Sequence, residues 1–387
     1  MNVSRRGFLV GGLAAGTGLV NGIEPVLAQT KEASGAQVAA VSKAVYLSGD
    51  ALVMTDAERI QELGRLMGKY DKFGDVYLAA GAVTELEHKM AEMLGKEDAA
   101  FLPTGTLANN LAVRVLCGER RHVLVQHESH LYLDEQDSAS LLSGINLVPL
   151  AAGKAAPGYD EVVAAIDLAE NGRFPIAVGA ISLESPVRRA DGASVPYALA
   201  EKISTLARSK GIGMHWDGAR ALLLSGTEGF DLRRYSALFD TVYVSLYKYL
   251  GAPFGAVLAG NKATIAKVRD LRHAYGGLIY HGWQSALPAL AALPGFQERF
   301  VAARAAGDRL FEGLQGAGGF EIKQVPDGSN ITVVEVSQAR ATNLQARLAK
   351  ADVHVRPVVD GKMLIFVNET IVRQSTQELV RAFTGTA

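Results

Sequence analysis

Between residues 84 and 97 the chain reads TELEHKMAEMLGKE, with Leu86, Met90 and Leu94 recurring at helical spacing and Gly95 placed to stop the helix. Beyond it, short unbroken apolar runs alternate with helical patterns. HVLVQ, INLVPL, PIAVGAISLE, GIGMHWD and TVYVSLY have the length and β-branched content of buried strands. DEVVAAIDLAEN and PYALAEKISTLARSKG, lying among them, carry helical spacing, with Pro196 suited to a first turn and Gly211 to a C-cap. This alternation predicts an α/β fold: a large domain over 44–295 whose mostly parallel sheet is covered by helices on both faces. Ligands of such sheets gather at the carboxyl ends of the strands. A long helical pattern over 296–318 then leads to candidate strands at 320–324, 330–336 and 363–368, with helices at 339–350 and 375–384. These predict a smaller C-terminal α/β domain over 296–387.

Length and charge narrow the function classes. The chain has 387 residues, 49% hydrophobic and 20% charged, with a formal charge of −1, and no basic stripe with interleaved aromatics argues for nucleic acid. A single cysteine, Cys117 in LAVRVLCG, excludes internal disulfides and thiolate clusters and reads as a small buried hydrophobe. At the N-terminus, Arg5 and Arg6 precede Phe8 and Leu9, and a Gly/Ala-rich apolar run follows, ending with VLA at Ala28. The run falls short of the ~20 residues that span a bilayer, so residues 1–28 read as a signal peptide and 29–43 as a link. The paired arginines resemble twin-arginine export signals, which carry folded proteins, and imply a periplasmic destination; an uncleaved anchor is the alternative.

Candidate chemistry centres on DTVYVSLYKYLGAPFGAVLAG, where Lys248 is the one cation in an apolar, glycine-rich run. A lysine there is either a turn residue snorkelling outward or an amine meant to lose its proton and form a Schiff base with a carbonyl. Partners elsewhere decide. In FLPTGTLANNLAVRVL, Thr104, Gly105 and Thr106 stand before a helix; they suit a phosphate site, and an ordinary N-cap with a turn glycine explains them equally. In VLVQHESHLYLDEQ, His130 could lie flat on an aromatic ring, could be a loop histidine, or could pair with His127 in a metal site that lacks a third ligand. In GIGMHWDGARALLL, Asp217 ends an apolar strand, where a carboxylate needs a partner: either a protonated ring nitrogen or Arg220.

In this order the elements resemble a pyridoxal-phosphate enzyme of the aspartate-aminotransferase fold. LEHKMAEMLGKEDAAFLPTGTLANNLA, ESHLYLDEQ, HWDGAR and KYLGAPFGAVLAG are similar to the low-specificity threonine aldolases of the β-eliminating lyase group. The resemblance implies that Lys248 binds the cofactor covalently, Asp217 faces the pyridine nitrogen and His130 stacks on the ring. Thr104, Gly105 and Thr106 would hold the phosphate, and Arg220 would help to fix cofactor or substrate. Ser48, Glu135, Arg188 and Arg356 are the substrate-side candidates. The implied activity is a lyase acting at Cα or Cβ of an amino acid or related amine, in a homodimer or homotetramer. Transamination, decarboxylation, racemisation or a non-catalytic binding role are the alternatives. Three positions depart from the family: Val187 in ESPV stands for a histidine, Ile365 in MLIFVNE aligns with a carboxylate-binding arginine, and Tyr280 in YGGLIYHG replaces an arginine. A lost arginine–carboxylate contact is worth roughly 1.5 to 3 kcal/mol, which makes threonine itself a doubtful substrate.

Overall fold

The computed structural model describes residues 43–325 and 327–385; the leader at 1–28 and all but the last residue of the link at 29–43 lie outside them. In chain order the strands are β1 (Val45–Tyr46), β2 (Asp98–Leu102), β3 (His122–Gln126), β4 (Asn146–Leu150), β5 (Val178–Glu184), β6 (Gly213–Asp217), β7 (Thr241–Ser245), β8 (Ala256–Gly260), β9 (Phe320–Lys323), β10 (Ile331–Val336), β11 (Val353–His354) and β12 (Lys362–Phe366). Seven form one sheet in the order β2-β8-β7-β6-β5-β3-β4. Strands β3 to β7 run parallel, as the alternating pattern requires, whereas β8 is antiparallel to both β7 and β2. The reversal has a simple cause. Residues 246–255 join β7 to β8, too short a connection for a helical crossover, so the chain turns back beside itself.

Helix Gly81–Leu94 ends as its sequence suggests, with Gly95 in the left-handed conformation at φ 65° and its amide donating to Ala91 and Glu92. The large core packs Trp216, Phe239, Phe101 and Leu86 between sheet and helices. A second core holds Leu310, Leu348, Ile365 and Phe383 beneath the antiparallel sheet β12-β10-β9. Two expectations need correction here. Val45 and Leu47, placed in the large domain by their position in the chain, pack into this second core, because β1 pairs with β11 in parallel. The single helix expected at 339–350 is two, Gln338–Ala341 and Leu344–Lys350, since Asn343 takes a left-handed φ of 58° between them.

Candidate active site

Lys248 lies in the β7–β8 connection and faces a cavity of about 400 Å³ at the carboxyl ends of the parallel strands. Its amine meets no hydrogen-bond acceptor among the described residues; Tyr247 lies beside it, with Nζ 5.8 Å from the ring centre. Its pKa is lowered to about 8, by burial first and by the neighbouring Arg220 charge second, with the charges of Asp217, Asp50 and Glu184 working against the fall. An unpaired lysine held near neutrality in a cavity is chemically available as a nucleophile.

One end of this cavity is the start of helix Gly105–Cys117. The Thr104 hydroxyl is committed to capping, accepting from the Leu107 amide at 3.1 Å. The Gly105 and Thr106 amides donate to nothing among the described residues and, with the helix dipole, offer an anion site. Gly105 is irreplaceable on space alone: a Cβ there would lie 2.0 Å from the Tyr243 hydroxyl.

Asp217 closes β6 and is 2% exposed. One carboxylate oxygen accepts from the Ala219 amide at 3.1 Å and the other from Asn109 Nδ2 at 2.8 Å. The same Asn109 nitrogen donates to Glu135 at 2.8 Å, and Glu135 accepts from His130 Nδ1 at 2.9 Å. Behind them His215, fully buried, sits 3.0 Å from Asn109 Oδ1 and 2.9 Å from the Thr241 hydroxyl. The network is self-consistent. A neutral His215 donates from Nε2 to Asn109 and accepts at Nδ1, and burial pushes its pKa down to about 4. His130 is the reverse case: its hydrogen bond to Glu135 raises its pKa and makes Nδ1 the donor, leaving Nε2 for the cavity. Glu135 itself, expected on the substrate side, is corrected to a place behind His130, where its side chain is fully buried. It holds the imidazole through Nδ1 and lines neither cavity of the site.

Arg220 does not pair with Asp217. Its Nε donates to Asp50 at 2.8 Å, and Asp50 also accepts from Asn330 at 3.0 Å, so the N-terminal segment is tied to β10 through this carboxylate. Arg220 and Lys248 line both the inner cavity and an outer chamber of about 600 Å³, which opens between the 48–53 segment and the small domain. Ser48, Arg188 and Arg356 all line the outer chamber. Arg188 is partly engaged, with Nη2 on Asp134 at 3.0 Å, and Arg189 holds the same carboxylate through two nitrogens.

The departures from the family look different in three dimensions. Val187 is fully buried, bridges Ala193 and lines neither the inner cavity nor the outer chamber. Ile365 is also fully buried, on the face of β12 that packs the second core, whereas Leu364 and Phe366 line the outer chamber. A guanidinium reaching the chamber from this strand would therefore stand at 364 or 366, and both positions are apolar. Tyr280 is solvent-exposed and packs edge-on against Tyr77.

Sequence reasoning left several residues without a role. Glu184 ends β5 beside Asp217, lines the inner cavity, and accepts from the His130 and Arg188 amides at 2.6 and 3.0 Å; burial raises its pKa, and the neighbouring Asp217 charge adds to the rise. Its signal was the one that marked Asp217, a carboxylate closing an apolar strand. Asn109 had a signal too: two adjacent amides, Asn109 and Asn110, lie among the otherwise apolar buried residues of their helix. Taken together, a free amine, unpaired helix-start amides, an imidazole wall and a buried carboxylate are a donor set that fits pyridoxal phosphate.

Comparison with known proteins agrees with this chemistry. The Beta-eliminating lyase family model matches residues 60–338. The "Probable low-specificity L-threonine aldolase 2" of Arabidopsis thaliana is 33% identical over 196 residues, which is 50% of this chain and 55% of that protein. An alanine racemase, TOXG, of Cochliobolus carbonum is 32% identical over 211 residues, 54% of this chain and 53% of that one. The chain thus spans about half the length of the curated relatives it matches. A solved structure described as a candidate L-allo-threonine aldolase of Listeria monocytogenes superposes with a TM-score of 0.74 at 25% identity, covering 89% of this chain and 96% of that one.

Proposed function

The chain belongs to the beta-eliminating lyase family, and on that premise we propose that it is a pyridoxal-phosphate-dependent carbon–carbon lyase, resembling threonine aldolases, that acts on an amino acid or related amine. The observation that carries this reading is the unpaired Lys248 amine, facing the cavity between the helix-start amides and Asp217. Gly105 and Thr106 would hold the cofactor's phosphate, His130 its ring face and Asp217 its ring nitrogen. When bound, the cofactor supplies an aldehyde for the substrate amine and a conjugated ring that accepts the electron pair of a bond broken beside that amine.

The chain's own groups do the rest. Asp217, fixed by Asn109 and the Ala219 amide, stays in place as a buried acceptor for a ring N–H. Lys248 is near enough to neutral to take or return a proton at the substrate's Cα. His130 Nε2 is the free ring nitrogen available to a substrate hydroxyl, because Val187 leaves no other imidazole there. Arg220, which lines both cavities beside Lys248, would hold the α-carboxylate. The purified protein should show a visible band that borohydride bleaches, with the added pyridoxyl mass on the Lys248 peptide. Lys248→Ala should lower turnover by roughly a thousandfold or more; full activity in that variant would sink the mechanism.

The buried Val187, together with the racemase relative, favours proton exchange at Cα as a second reading on the same cofactor. Product analysis separates the two, since only bond cleavage releases an aldehyde. Export and assembly belong to the same proposal. Arg5 and Arg6 before an apolar run support a twin-arginine route, checked by recovery in the periplasmic fraction and its loss when both become lysine. Exposed Val76, Tyr77 and Tyr280 support a homo-oligomer that covers them.

A further inference from the structure

The outer chamber carries a feature that the proposed chemistry does not use. Arg356 donates from Nε to the Ser48 carbonyl at 2.8 Å, and its guanidinium lies 4.3 Å over the Phe366 ring. Both contacts fix the plane of the group. Neither uses Nη1 or Nη2, which meet no acceptor among the described residues, so the fork is held ready for an anion. Arg220 also leaves its terminal nitrogens unbonded, but it lines both cavities, whereas Arg356 lines only the outer one.

The same chamber has an apolar wall. Ile331 and Phe366 are directly opposed across β10 and β12, Leu364 lies two residues back on the same face, and Val53 adds to the lining from the N-terminal segment. The charges around the chamber leave an excess of cations: Lys248, Arg220, Arg188 and Arg356 against Asp50, Asp134 and Asp191. Asp50 and Asp134 are already in ion pairs, with Arg220 and with Arg188 and Arg189 respectively.

We propose that Arg356 reads a second, distal carboxylate, so that the substrates are β-hydroxy-α-amino acids whose side chain ends in an acid beyond a short run of methylenes. This rests on the lyase reading above and goes further by naming the substrate class. Arg220 takes the α-carboxylate, the apolar wall takes the methylenes, and the Arg356 fork takes the far end. Cleavage of the Cα–Cβ bond turns the β-hydroxyl into an aldehyde as its proton leaves. The bonding pair and a proton end on Cα, giving glycine and an ω-oxo acid with no external oxidant.

The test uses holoenzyme and two probes that cannot be cleaved, L-2-aminoadipate and L-norleucine, which differ only in a terminal carboxylate against a terminal methyl. Binding is read from the change in the cofactor's visible spectrum. The expected result is aminoadipate binding tighter by roughly ten- to a hundredfold, a preference abolished in Arg356→Gln while norleucine binding stays the same and reports an intact site. Equal affinity in the unmodified enzyme, or a preference that survives Arg356→Gln, would overturn the distal site. Equal weakening of both probes would overturn it as well, by assigning Arg356 to the α-carboxylate. If no amino acid perturbs the spectrum at all, the amine-lyase reading falls first and takes this proposal with it.

Discussion

His215 shows how much one buried hydrogen-bonding pattern can determine. It is neutral in the fold, with its pKa pushed down to about 4 by burial, against an ordinary value near 6.5 in the unfolded chain. Above the unfolded value both states are neutral and the group is silent. As pH falls from about 6.5 towards 4, the unfolded chain takes up a proton that the fold refuses, and stability is lost. Thermal unfolding followed from pH 7 down to pH 4.5 should therefore show a falling midpoint, with a smaller fall in His215→Gln. An equal fall in both would mean that other groups dominate. Asn109 matters for the same reason, because one amide nitrogen serves both Glu135 and Asp217. Burial lowers the pKa of Lys248 as well, with Arg220 adding to the fall, but this amine lacks a hydrogen-bonded partner among the described residues.

At the scale of elements, alternation along β12 decides what its residues can do. Successive side chains of a strand point to opposite faces, so Met363 and Ile365 pack the second core while Leu364 and Phe366 face the chamber. This yields a paired prediction. Leu364→Arg should fold and bring a new cation to the chamber, raising affinity for anionic ligands. Ile365→Arg should place an unpaired charge in a sealed core at a cost of several kcal/mol, unfolding the small domain. Denaturant midpoints of the two variants decide the matter, and equal stability would contradict the facing described here. The helix at Gly105–Cys117 works by a similar logic, with its first amides left free at the cavity and its amide pair turned to the buried carboxylates.

Across the whole molecule, the site exists because distant segments converge. Arg220 from the large sheet, Asp50 from the N-terminal segment and Asn330 at the edge of β10 meet in one hydrogen-bonded group, although they lie 170 and 280 residues apart from Asp50. The outer chamber is lined by these segments together with residues of 130–134, 188–191 and 247–248, which is why its lining residues are scattered along the chain. Crossing of the N-terminal segment to the second core, through Val45 and Leu47, is what brings Ser48 to Arg356.

By itself the sequence determined the α/β class and the parallel strand series, and it named the candidate residues whose cofactor roles the family resemblance implies. Those features follow from local periodicity and from polar groups closing apolar strands, both of which can be read within a window of a dozen residues. Asp217, closing β6, is of this kind, whereas Lys248, His130 and the Gly105 helix start stood out as polar or glycine positions in apolar surroundings, with roles that the resemblance implies. Only the tertiary structure decided that Arg220 pairs with Asp50, that Glu135 stands behind His130, and that Ile365 faces away from the chamber. The physical reason is that pairing partners and strand facing depend on which distant segments pack together, and burial energy carries no sequence-local mark of its partner. The turn-back of β8 was set by a short connection, visible in the sequence only once β7 and β8 had both been placed.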